Sequence, residues 1–243
     1  MKINNRCIVI TGGTSGIGYE MTKFLYHNND VVVVSRNSNK LSELSKELGG
    51  VTTFQADLSK VEDVETVADS IVKRFETVDI LINNAAVQFT PRLIEDDFQY
   101  ESISYEIALN FTNICNMTYL LLPALLQSKN AVILNINSGL ALSPKTSSAI
   151  YCATKGGLNI FSQSLRYQLE DTNISVQQAF LDLVDTQMTM GRGKNKMTTE
   201  EAAKRIIEGI ERGVIDNDIG KVKILRKLLR IAPSLAQRIM KKY

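Results

Sequence analysis

Thr11-Gly-Gly-Thr-Ser-Gly-Ile-Gly18 is the stretch that most narrows the folds open to this chain. It follows a β-branched apolar run at 6–11 and leads into a segment at 18–27 with helical spacing. A glycine-rich turn between a strand and a helix is a phosphate-binding signature of open α/β sheets. Gly12, Gly16 and Gly18 give the spacing G-x-x-x-G-x-G, with Thr14, Ser15 and Ile17 completing the candidate binding turn. Glycine lets the backbone turn sharply and approach a pyrophosphate, whose charge is favoured at the helix N-terminus. No Gly-Lys-Ser/Thr follows, so this is not a Walker A loop.

The rest of the chain repeats the alternation. Short apolar runs at 31–35, 52–55, 80–83, 131–137 and 175–180 predict strands, and 38–48, 61–75, 100–126 and 149–169 predict helices between them. Near-continuous apolar strands separated by helices imply a parallel sheet covered on both faces. No Pro- or Ser-rich linker interrupts the 243 residues and no internal repeat is found. The expectation is one α/β domain over 1–243, a doubly wound, Rossmann-type parallel sheet. The connection 181–199, polar and methionine-rich, breaks the rhythm and is read as a lid over a substrate site, the plain alternative being a surface insertion.

Composition excludes several classes of protein. The three cysteines, Cys7, Cys115 and Cys152, form no CxxC pair and there is one histidine, His27, so no zinc ribbon or disulfide framework is expected, and no metal site. The cysteines are read as buried small hydrophobes. No signal peptide precedes the glycine turn and no stretch approaches a membrane span, so a reduced, cytoplasmic protein is expected. The net charge is +2, yet 221–243 carries eight Lys or Arg and no acid. Removing those eight from the 28 basic residues leaves 20 against 26 acidic ones. A nucleic-acid binder would spread its basic charge over a face, so none is expected here. In the tail, Val222, Leu225, Leu228, Leu229 and Ala232 recur at helical spacing. It is read either as a last strand and helix packed on the domain or on a neighbouring subunit, or as a basic amphipathic helix on an anionic membrane.

Further signals cluster at the predicted carboxyl ends of the strands. Ser35-Arg36-Asn37 lacks the Asp or Glu that binds ribose hydroxyls in NAD-preferring sheets, and Arg36 suits a 2′-phosphate. NADP(H) is therefore expected over NAD(H). Asp57, followed by Leu58, is placed to meet adenine, and Asn83-Asn84-Ala85-Ala86 supplies small residues against which a cofactor could lie. Tyr151 and Lys155 stand four apart, one above the other on a helix face. A carbonyl reduction needs a proton for the forming alkoxide, and a cation beside a tyrosine lowers its pKa.

Six motifs in order cover nearly the whole chain: TGGTSGIG at 11–18, Asp57-Leu58, NNAA at 83–86, Asn110, Ser138, and YCATK at 151–155. In these the chain resembles the short-chain dehydrogenase/reductase family, in its compact branch. The resemblance implies a nicotinamide-dependent oxidoreductase acting on a carbonyl or alcohol. Tyr151 would be the general acid or base, and Lys155 would tune it and hold the ribose. Ser138 would bond the substrate oxygen, and Asn110 would anchor a relay water. Val184 and Thr186 would contact the nicotinamide, although Leu181 and Asp182 replace the family's usual Pro-Gly. The resemblance also implies a homodimer or homotetramer through the helices around Asn110 and Tyr151. Residues 138–172 and 184–198 are similar to the DltE-type oxidoreductases, encoded in some bacteria beside cell-wall D-alanylation machinery, which implies no substrate. Met188, Met190 and Met197 are expected in the lid, and Leu140, Leu142 and Phe89 in the pocket wall. The alternatives are a non-catalytic NADP(H)-binding regulatory or scaffold protein, peripheral to the membrane, and an extended-branch epimerase or dehydratase, against which the short length argues.

Overall fold

In the computed structural model, which describes residues 2–242, seven parallel strands form one sheet in the order β3-β2-β1-β4-β5-β6-β7. They are β1 (Cys7–Thr11), β2 (Asp30–Ser35), β3 (Thr52–Gln55), β4 (Ile80–Asn83), β5 (Ala131–Ser138), β6 (Ile174–Leu181) and β7 (Asp216–Asp218). The central strands are buried on both faces: Ile8, Val9 and Ile10 of β1 are all 0% exposed. Alternation sends Ile8 and Ile10 to one core and Cys7 and Val9 to the other.

The first core is covered by α1 (Gly16–Leu25), α2 (Ser38–Glu47) and α7 (Thr199–Glu211). The second is covered by α3 (Val61–Arg74), α5 (Asn113–Leu126) and α6 (Ala149–Gln168). This is a single, doubly wound Rossmann-type domain. The strand order reverses between β1 and β4, and that switch point is where such sheets open a ligand crevice.

Three local outcomes differ from the expectations. The helix expected over 100–126 is divided into α4 (Glu101–Ile107), a π turn (Ala108–Thr112) and α5. A π turn widens the helix by one residue, and it does so here around the fully buried Asn110. The last strand is not in the tail but before it, at β7. There the polar run Asp-Asn-Asp pairs with β6 and is held by ion pairs from Arg166 and Arg226. The tail is two helices, α8 (Val222–Ile231) and α9 (Pro233–Lys241), divided at Pro233, which starts the second one. Tyr243 lies outside the described residues. Cys7 and Cys152 are buried as expected, whereas Cys115 is only half-buried.

Candidate active site

The glycine turn is fixed to the switch point by β4. Thr11 Oγ1 accepts the Asn84 and Ala85 amides at 2.9 and 3.1 Å, and Asn84 Nδ2 donates to the carbonyls of Thr11 and Gly12 at 3.0 and 3.2 Å. A Cβ on Gly18 would stand 2.2 Å from the Gly12 oxygen and 2.6 Å from Asn84 Nδ2, so the close crossing of turn and helix requires glycine there. Gly12 and Gly16 have φ of +69° and +55°. Gly16 faces the Thr186 methyl, and Val184 is buried behind it, so 184–186 is brought to the same turn. No acid sits in the first turn of α1, and the N-cap Ser15 makes no side-chain bond. With no side-chain cap and no acid in that turn, the first amides of α1 and the bare backbone of the glycines fit a pyrophosphate.

The ends of β2 and β3 complete this side. Ser35 Oγ lies 3.0 Å from Thr14 Oγ1, and the exposed Arg36 donates to the Tyr105 hydroxyl at 2.6 Å. Asp57 accepts from the amide and hydroxyl of Ser59 at 3.0 and 2.7 Å. Burial acts to raise its pKa, but those two bonds, with Lys60 and Arg36 nearby, hold it below the usual carboxylate value. The carbonyl of Leu58 accepts from Asn113 Nδ2, which ties this loop to α5. Ala86 continues the half-buried edge beyond Ala85.

The second cluster gathers where β5 ends against α6. Ser138, the last residue of β5, lies beside the Tyr151 hydroxyl, closely enough to pull the phenol's pKa down. Tyr151 and Lys155 are buried one turn apart, with the Lys155 ammonium 5.7 Å from the tyrosine ring centre. Lys155 Nζ donates to the Ile136 carbonyl at 2.8 Å. Asn110 grips Val87 at both ends, accepting its amide at 2.9 Å and donating to its carbonyl at 2.8 Å, and it reaches Thr154 at 3.5 Å.

Electrostatics add a residue that the sequence did not mark. Glu106 is 1% exposed, one turn before Asn110, and accepts the Phe89 amide at 3.2 Å. Burial pushes its carboxyl up to about 7, against the opposing pull of the Phe89 amide and the Lys155 charge. Burial likewise brings Lys155 down to about 8, opposed by Glu106. The Tyr151 phenol is held well above its ordinary value, first by burial and then by Cys152 and Glu106, while Arg192 and Ser138 pull it back. A glutamate on an amphipathic helix looks like a surface residue, and only the π turn beside it shows that this face is buried. Arg192, in a loop with no periodicity, gave no signal either.

The 181–199 connection is ordered by its own bonds. Val184 bridges Met197, Thr189 bonds the carbonyls of Val184 and Thr186, and Lys196 pairs with Asp185 at 3.0 Å. Arg192 reaches across to Gln88 Oε1 at 2.8 Å, so the segment spans the crevice toward the end of β4. Met188 and Met190 are exposed, whereas Met197 packs on the domain core, not in a lid. Asp182 turns toward the start of α8, accepting the Lys221 amide at 3.4 Å. Leu140 packs on Tyr151, Leu142 is half-buried beyond it, and Phe89 meets Tyr105 edge-on.

Comparison with known proteins supports the fold and identifies the family. The sequence pattern described as short chain dehydrogenase matches residues 6–197. The chain is 31% identical to the uncharacterized oxidoreductase DltE of Bacillus subtilis, over 95% of this chain and 94% of that protein. Among solved structures, a short chain dehydrogenase from Burkholderia cenocepacia in complex with NADP superposes with a TM-score of 0.88 at 23% identity, covering 99% of both chains. A 3-ketoacyl-(acyl-carrier-protein) reductase from Brucella melitensis complexed with NADH gives 0.82 at 24% identity, over 90% of this chain and 98% of that one. The chain therefore belongs to the short-chain dehydrogenase/reductase family, nicotinamide-dependent oxidoreductases of CH–OH and C=O groups.

Proposed function

We propose that the protein is an NADP(H)-dependent carbonyl reductase or alcohol dehydrogenase in which Tyr151 transfers the proton. The observation that carries this reading is the convergence of the half-buried Ser138 with the buried Tyr151 and Lys155 beside the glycine-turn crevice. When bound, the nicotinamide supplies or accepts the hydride. Ser138 orients the substrate oxygen at the Tyr151 hydroxyl, which donates its proton in reduction and withdraws it in oxidation. Lys155, fixed by the Ile136 carbonyl, places positive charge beside the tyrosine and would hold the ribose. Asn110, held by Val87, would anchor a water that relays protons to Lys155.

Arg36, with no acid in Ser35-Arg36-Asn37, supports the 2′-phosphate of NADP(H). Gly12, Thr14, Ser15, Gly16, Ile17 and Gly18 would hold the pyrophosphate, Asp57 and Leu58 the adenine side, and Asn84, Ala85, Ala86, Val184 and Thr186 the nicotinamide half. The segment 181–199 is the substrate lid, through Met188, Met190 and Arg192. A homodimer or homotetramer is proposed through α5 and α6, whose Tyr119, Ile160 and Tyr167 are 75, 64 and 76% exposed.

The test is carbonyl-dependent oxidation of NADPH over a panel of aldehydes and ketones, wild type beside Ser138→Ala. Turnover by the wild type, cut sharply in the variant with NADPH affinity kept, is expected. Tight NADPH binding with no turnover on any carbonyl or alcohol would instead favour a binding-only regulatory protein.

A further inference from the structure

The two tail helices are amphipathic over a wider arc than the domain covers. On α8, Val222 is 2% exposed and packs near Gly139, while Ile224 and Ile231, on the other edge of the apolar face, are 67 and 83% exposed. On α9, Ala236 and Met240 are buried, while Leu235 and Ile239 are 48 and 50% exposed. Helical geometry places Lys227 beside the exposed edge of α8, and Arg238 and Lys242 beside that of α9. Both helices are thus half sunk into the protein, each leaving an apolar edge bordered by cations.

The buried side is anchored firmly and lies on the active site. Met240 packs with Leu140, Tyr151 and Cys152, and Leu225 packs against the same group. Thr146 donates to the Lys241 carbonyl at 2.7 Å. Arg226 forms a forked pair with Asp218 at 2.6 and 2.8 Å. Among the described residues that is the one ion pair made by the eight basic residues of the tail.

We propose that the exposed apolar edges of α8 and α9, with Lys227, Arg238 and Lys242 beside them, dock on an anionic lipid surface. The charge selects the partner. A second copy meeting this face would bring two like-charged clusters together, and the exposed aromatic and aliphatic residues of α5 and α6 already offer a face for self-association. A bilayer surface with anionic headgroups accepts shallow apolar residues and cations together. Because the same helices roof Tyr151, docking turns that side of the crevice toward the lipid. The inference stands on α8 and α9 and is independent of whether Tyr151 is catalytic.

The experiment is sedimentation of the full chain with vesicles of phosphatidylcholine alone or with about 30% phosphatidylglycerol, at about 0.1 M salt. Binding to the anionic vesicles at least ten-fold above the neutral ones is expected, lost on raising salt to about 0.5 M. The combined variant Ile224→Ser, Ile231→Ser, Leu235→Ser, Ile239→Ser should lose binding at least ten-fold with its circular dichroism and NADPH affinity unchanged. Ile231→Glu alone serves as the milder variant, with a smaller loss. Equal sedimentation with both vesicle types, retention of binding in the variants, or a fall in the solution mass of the combined variant, which would make a second copy the occupant, would each overturn the proposal.

Discussion

The ammonium of Lys155 stands 5.7 Å from the ring centre of Tyr151 and gives its hydrogen bond to the Ile136 carbonyl. Burial dominates the tyrosine, whose phenol is held well above its ordinary value, and the groups that pull it back are Arg192 and Ser138 and not Lys155. The protein alone thus keeps Tyr151 protonated, and the charge of an oxidised nicotinamide is the further source that would lower it. In the free enzyme, the tyrosinate absorbance of wild type minus Tyr151→Phe should show no ionisation through about pH 10. Saturation with oxidised cofactor should move the ionisation down. Ionisation below about pH 9 without cofactor would sink this account.

Arg36 sits exposed at the end of β2, its guanidinium bonded to Tyr105. Removing a charged donor to a phosphate costs about 1.5–3 kcal/mol, or roughly 10–150-fold in affinity. Arg36→Ala should therefore weaken NADPH binding by that factor and leave NADH binding nearly unchanged in fluorescence titrations. Equal losses for both cofactors would assign Arg36 to the Tyr105 contact instead.

Glu106 gives a stability signature. Its carboxyl ionises near its ordinary 4.5 in the unfolded chain and at about 7 in the folded one. Folding takes up a proton between those values, so its contribution is complete below about pH 4.5 and is lost as the pH rises through 7. Glu106→Gln, which keeps an acceptor for the Phe89 amide, should match wild type near pH 4.5. It should exceed wild type by about 1–3 kcal/mol near pH 8 in urea unfolding. A stability difference that does not change with pH would refute the buried-carboxyl assignment.

Gly18→Ala places a methyl against the Gly12 carbonyl and Asn84. Backbone must shift to admit it, at a cost of about 1–3 kcal/mol. A lower melting temperature and weakened cofactor binding are expected together. Unchanged binding would mean that the turn has more room than the Gly12–Asn84 contacts indicate.

The sheet was legible because its central strands are apolar on both faces, as Val31 to Val34 show, and alternate with helices that cover them. The positions of the glycine turn and of the Tyr151–Lys155 stack were legible because local spacing alone sets them. β7 was not: Asp216 and Asp218 have poor strand propensity, and partners distant in sequence, Arg166 and Arg226, hold them in place. The tail's spacing announced a helix, but its division at Pro233 and the burial of Met240 against Tyr151 depend on the finished fold. Glu106 was hidden for the same reason, since a carboxylate enters a core only where the surroundings supply a partner.

The central claim is that Tyr151 delivers the proton in hydride transfer, and Tyr151→Phe tests it with the least disturbance, because the ring packed on Leu140 and Met240 is kept. The measurement is the single-turnover rate of NADPH oxidation with a carbonyl substrate found in the panel, beside NADPH affinity. A fall of about 10²–10⁴-fold in rate with affinity preserved is the predicted result. A variant rate within about three-fold of wild type would contradict the account, since positioned acid catalysis contributes far more than that.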